Sequence, residues 1–125
     1  MSEPMKPGRE LDKLVAEIMG WAEVRQNPEY PKFAIDWDGF TPRDISGFRS
    51  RIPDFSTESA AAWAAREWLE RYYTPGGVCL VRDLDNSPSV VTLDRGELDK
   101  TLARGESYPH AIALAVVATR ATNAE

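Results

Sequence analysis

The sequence predicts an α+β domain, and three observations carry that prediction. Two stretches place their apolar residues at helical spacing, 9–19 and 57–73. A third, Ala111 to Ala118, is apolar for eight residues running, as in a helix buried on most sides. Between the second and third lie two short β-rich runs, Val78–Val81 and Ser89–Leu93, joined by a turn-rich connection, as in an antiparallel hairpin. With 125 residues, 42% of them hydrophobic, the chain is one domain able to bury a core without disulfide or metal staples.

Residues 1–8, with two prolines in Pro4 and Pro7, read as a loose tail ahead of a single domain over 9–125. In the first helix, Arg9 to Met19, an apolar stripe runs through Leu11, Leu14, Val15, Ile18 and Met19, with Glu10, Asp12, Lys13 and Glu17 on the opposite face. Gly20 stands where a left-handed C-cap is expected, and Trp21 follows to fold back on the helix end.

Residues 22–52 form the least regular segment. Asn27-Pro28 and Tyr30-Pro31 interrupt any helix, residues 33–37 alternate as a short strand, and Asp38-Gly39 reads as a turn. Thr41 and Pro42 could open one helical turn. Arg43, Arg49 and Arg51 make this the one locally basic stretch.

The second helix is expected from Thr57 to about Tyr73, with Ser56 as N-cap, Phe55 stapled against Ala60, and a packed stripe of Ala61, Ala65, Trp68 and Tyr72. Glu67 and Arg71 are spaced for an ion pair on its solvent side. Residues 97–103 read as a short helical or irregular piece. The last helix starts at Tyr108 with Ser107 as cap and Pro109 in its first turn.

A net charge of −5 argues against a general nucleic-acid-binding surface, which needs clustered Lys and Arg. Cys79 is the single cysteine and lies in an apolar run; it excludes an internal disulfide and suits a reducing cytoplasm. No secretory leader and no apolar run near the ~20 residues of a membrane span are seen. His110 is the only histidine, so any serine- or cysteine-type triad depends on it, and its place in a buried helix favours packing over catalysis. One His and one Cys do not make a zinc set, and Asp83, Asp85 and Asn86 lack the glycine and distal glutamate of a calcium loop. The expectation is therefore no catalytic set, no metal and no cofactor.

Binding residues remain. Asp36 and Asp38 would share a strand face with Trp37 between them, and Asp83 and Asp85 would add acid from the hairpin loop. Tyr30 and Trp37, in the irregular segment, are the aromatics most suited to contact a partner. Arg43, Arg49 and Arg51 with Trp37 could instead hold a nucleotide by stacking and charge.

Three separated stretches, Gly8–Trp21, Pro53–Trp63 and Glu106–Ala115, resemble in order and spacing the phage ABA-sandwich domain family of small bacteriophage and prophage proteins. The third is the loosest, since the family more often has a shorter residue before its proline. The resemblance implies a three-layer α/β/α sandwich with a small, mostly antiparallel sheet, and expression in the cytoplasm of an infected bacterium. It brings no catalytic site. The expected role is a non-enzymatic accessory protein, monomeric or oligomeric, that binds a host protein or defence complex. An inhibitor of antiviral defence resembling an anti-CRISPR, presenting an acidic and aromatic surface to a basic channel, is the leading form. Sequestration of a nucleotide immune signal is the alternative, and a hydrolase or transferase using His110 a weaker one.

Overall fold

The computed structural model describes residues 5–26, 37–42 and 49–123, with side chains as far as Arg120. The order of elements is α1 (Arg9–Ile18), β1 (Ala22–Gln26), β2 (Trp37–Phe40), β3 (Ser50–Arg51), α2 (Ser59–Tyr72), β4 (Val78–Arg82), β5 (Pro88–Asp94), β6 (Glu97–Arg104) and α3 (Tyr108–Asn123). The fold is α+β, with three helices and small antiparallel sheets, consistent with a small sandwich. The strands divide into two three-stranded sheets, ordered β1-β2-β3 and β4-β5-β6.

The largely apolar α3 is the centre of the molecule. It packs on β5 and β6 with one side and against α1 and α2 with the other. Ala111, Ile112, Ala113, Ala115 and Val116 are all buried. Ser107 caps it as expected, its Oγ accepting from the His110 N–H at 3.3 Å. The α1 terminus also follows the sequence reading. Gly20 is left-handed (φ +103°), and the N–H groups of Gly20 and Trp21 donate to the carbonyls of Glu17 and Ala16, closing the helix end.

Asp12 departs from its expected solvent face and is fully buried. Its Oδ1 accepts from the Ser56 N–H at 2.8 Å and the Ser56 hydroxyl at 2.6 Å, and its Oδ2 from Arg9 Nη1 at 3.1 Å. Arg9 also reaches Asp54 Oδ1 at 2.9 Å, and the Gly8 N–H donates to Ser56 Oγ at 2.9 Å. Ser56 is therefore not the cap of α2. Its hydroxyl donates to the buried carboxylate and accepts from the Gly8 N–H, a charge-assisted arrangement that holds the side chain away from the α2 terminus. The helix opens at Ser59 with Glu58 at the N-cap and no side-chain cap bond. Phe55 is buried in the core while Ala60 is exposed, so the expected staple does not form.

The buried stripe of α2 is Ala62, Ala65 and Leu69, one position round from the predicted stripe. Small residues on this side let α2 lie close to the alanine-rich α3, and Trp63 and Tyr72 turn outward. Asp38-Gly39 is part of β2, not a turn: a Cβ at Gly39 would stand 3.0 Å from the Ala22 carbonyl oxygen and 3.2 Å from Val24 Cγ2, so the glycine permits close strand pairing. Residues 97–104 form β6, an edge strand whose charged, exposed outer positions disguised it as irregular chain. The expected strand over 33–37, apart from Trp37, and the helical turn beyond Pro42 lie outside the described residues.

Within the stretch read as a tail, Met5 packs against the core and its carbonyl oxygen accepts from His110 Nε2 at 2.7 Å. The Glu106 N–H donates to His110 Nδ1 at 2.9 Å, which places the ring proton on Nε2. The loop before α3 wraps tightly round this ring. A Cβ at Gly105 would fall 2.5 Å from the Ala111 nitrogen and 2.9 Å from His110 Nδ1. A Gly105→Ala variant is therefore expected to lose about 1–2 kcal/mol, read as a lower midpoint in thermal denaturation. An unchanged midpoint would show that the loop relaxes without cost.

Candidate functional site

The residues nominated from the sequence separate into two places. Trp37, Asp38, Arg49 and Arg51 lie in or beside the β1-β2-β3 sheet; Asp83 and Asp85 lie in the connection between β4 and β5. Tyr30, Asp36 and Arg43 lie outside the described residues.

Most of the described candidates are engaged internally. Asp38 is buried, and Arg49 Nε stands 2.6 Å from its Oδ1, with Arg25 Nε at 3.8 Å. Arg49 also donates to the Asp38 and Glu23 carbonyl oxygens and lies over the Phe40 ring. Arg51 pairs with Asp54 at 3.3 Å. Trp37 is half-buried against the core, with Lys13 Nζ 4.5 Å above its ring. Asp83 is paired with Arg104. Asp85 is exposed, and its Oδ1 accepts from the Ser87 N–H at 3.1 Å. Hydrogen bonding from Ser87, with a smaller contribution from Arg104, holds its carboxyl below the usual range. Arg49, Arg51 and Trp37 thus each have partners within the fold. His110 stands buried with both ring nitrogens hydrogen-bonded.

The surface that does present unmatched chemistry is the outer side of α2, which the sequence reading assigned to packing. Trp63 is 57% exposed and Tyr72 37%. Both rings are held in place. The Trp63 Nε1–H donates to Glu67 Oε1 at 3.1 Å and Arg66 stacks over the indole at 5.0 Å, while Tyr72 stacks on Trp68 at 5.3 Å between centroids. Ala60 and Ala64 lie exposed on the same side.

Beside this ridge runs a groove of about 420 Å³. Met19 and Trp21 form one wall, Pro42 closes one end, and Glu67, Trp68 and Arg71 of α2 form the other wall over Ala64. Pro42 is seated against Gly20, where a Cβ would be 3.7 Å away. The Glu67–Arg71 pair expected from sequence spacing is not formed, because Glu67 turns back to the Trp63 indole. Arg71 makes no ion pair among the described residues. The groove is thus mainly apolar and aromatic, with the Glu67 carboxylate and, unpaired among the described residues, the Arg71 guanidinium on its rim.

A larger cleft, about 760 Å³, lies between Tyr73, Pro75 and the β5–β6 turn, but Asp94, Arg95, Asp99 and Lys100 give it both signs of charge and no converging set. Among the described residues no three His, Cys, Asp or Glu side chains converge to hold a metal, and no helix is long and apolar enough to cross a membrane. Comparison of the chain with protein-family models, with curated proteins and with solved structures finds no match.

Proposed function

We propose that this chain is a non-catalytic accessory protein of phage or prophage origin that acts in the cytoplasm of its bacterial host by binding a protein of the antiviral defence. The phage setting rests on the resemblance of Gly8–Trp21, Pro53–Trp63 and Glu106–Ala115 to the ABA-sandwich family. The observation that carries the binding role is the exposed, rigidly held Trp63 beside the stacked Trp68–Tyr72 pair. Solvent-facing aromatics with fixed rotamers are what protein interfaces use as anchors, since they bury large area at low entropic cost. The acidic face first read from Asp36, Asp38, Asp83 and Asp85 contributes less here, because Asp38 and Asp83 are matched by arginines.

The test pairs infection with binding. In bacteria carrying an active defence system, expression of the wild-type chain is expected to restore plaque formation by a targeted phage. A Trp63→Ala variant is expected to lose that restoration and to bind the purified target at least ~10-fold more weakly. Its stability should stay within about 0.5 kcal/mol of wild type, since an exposed ring with one hydrogen bond contributes little to folding. A chain that protects against no defence system, or a Trp63→Ala variant that protects fully, would sink the proposal.

A further inference from the structure

We propose that the groove between the end of α1 and the outer side of α2 is a binding site for a nucleoside phosphate. The base would lie against the Trp21 and Trp68 rings, and the phosphate would pair with Arg71. The inference rests on reading the α2 surface as a binding surface, and it adds a ligand class to it.

Volume bounds the ligand first. At about 420 Å³ the groove falls in the lower range of small-ligand sites, room enough for a base and its sugar but too small to take a helix. Wall chemistry comes next. Trp21 and Trp68 supply indole rings, and Trp68 is fixed by its stacking on Tyr72, so a planar guest meets a surface that needs no ordering. Stacking on such rings tolerates any base, because every base has a π-face.

Charge then selects among planar ligands. Glu67, the carboxylate on the groove wall, is taken by the Trp63 indole N–H at 3.1 Å, whereas Arg71 has no carboxylate partner among the described residues. The open charge is a guanidinium, whose fork matches a phosphate in geometry and sign. A wholly apolar ligand leaves Arg71 unused, whereas an anion finds in it a partner that Glu67, drawn toward Trp63, does not already hold. This differs from the nucleotide site first suggested by Arg43, Arg49, Arg51 and Trp37: the described members of that set are paired within the fold, while Arg71 has no ion-pair partner among the described residues.

Isothermal titration calorimetry on the full chain tests the assignment, using the 5′-monophosphates of adenosine and guanosine, the two nucleosides, inorganic phosphate, and the dipeptide Phe-Asp as a competitor of similar chemistry. Saturable binding of at least one monophosphate is expected, with its nucleoside at least tenfold weaker and inorganic phosphate weaker still. Arg71→Gln, at an exposed position, should weaken the monophosphate at least tenfold while leaving the circular dichroism spectrum unchanged. Trp68→Leu should do the same, and Leu84→Ala, at an exposed position in the β4–β5 connection, should not. Should Trp68→Leu fail to fold, the Arg71→Gln comparison decides alone. No saturable binding of either monophosphate, equal binding by Arg71→Gln, or tighter binding of Phe-Asp would each overturn the inference. None of these results needs a host partner, so capture of a defence protein by a chain that ignores nucleotides would remove this inference and leave the proposed function standing.

Discussion

An Asp12→Ala variant is expected to lose about 3–4 kcal/mol of folding stability, a large share of the 5–15 kcal/mol that holds a domain of this size. Asp12 Oδ1 receives both the N–H and the hydroxyl of Ser56, at 2.8 and 2.6 Å, inside the fold. Deleting the carboxylate removes two bonds to a charged acceptor and strands a buried backbone N–H, and each loss costs on the order of 1–3 kcal/mol. Arg9 is the smaller part of the effect, since it keeps Asp54 at 2.9 Å. Urea denaturation followed by tryptophan fluorescence reads the change. Asp12→Asn, which retains an acceptor for Ser56, should lose about half as much, and a loss under 1 kcal/mol for the alanine variant would show that water replaces the carboxylate.

The same residue sets an unusual pH dependence. Burial pushes the Asp12 carboxyl above its ordinary value of 3.8, against the downward pull of the Ser56 hydrogen bonds and Arg9. A folded-state pKa above the unfolded one means that the folded chain holds the extra proton between the two values. The stability that this proton contributes is fully present below about 3.8 and is lost as pH rises through the folded value. Most paired carboxylates behave in the opposite sense. The stability of the wild type relative to Asp12→Asn should therefore fall as pH is raised from about 3.5 through the acid range. A difference that grows with pH would mean that Arg9 and Ser56 outweigh burial.

How much of this was legible in the sequence depends on which force settled each element. The glycine end of α1, the β4–β5 hairpin, the Ser107 cap and the buried α3 follow from local chemistry, and they were read correctly. Ser56 was legible as a helix cap by its position, but its partner lies 44 residues away in α1, and no local pattern announces a side chain captured by a distant carboxylate. The phase of α2 misled for a related reason. Ala60, Ala61 and Ala62 fit either side of a helix, so the large rings seemed to mark the core, whereas α3 selects the alanine side because it can approach closely. That error moved Tyr72 out of the candidate site. Leu69 carried the missing signal: the stripe through Leu69, Ala65 and Ala62 leaves Tyr72 outside it. β6 was hidden because an edge strand with one solvated face lacks the apolar run of β5.

Replacing Arg49 with methionine is expected to cost about 2–3 kcal/mol, the second largest effect argued here, and the result separates structural from binding roles at the residues first nominated for a site. Asp38 is buried in the central strand of its sheet, and Arg49 supplies the 2.6 Å partner that makes burial of its charge tolerable. Breaking a fully buried pair costs about 3–5 kcal/mol; the smaller figure reflects the partial exposure of Arg49 and the presence of Arg25 at 3.8 Å. Methionine retains the stem but loses the donors to the Asp38 and Glu23 carbonyl oxygens. Adding Asp38→Asn to Arg49→Met should recover about 1–2 kcal/mol, because the second change removes the uncompensated charge left by the first, and the pair should be strongly non-additive in a double-mutant cycle. Binding of target per folded molecule should stay unchanged in the double variant, in contrast to Trp63→Ala, which should bind poorly at full stability. The opposite pattern, a stable Arg49→Met variant that no longer binds, would move the functional surface from α2 back to the β1-β2-β3 sheet.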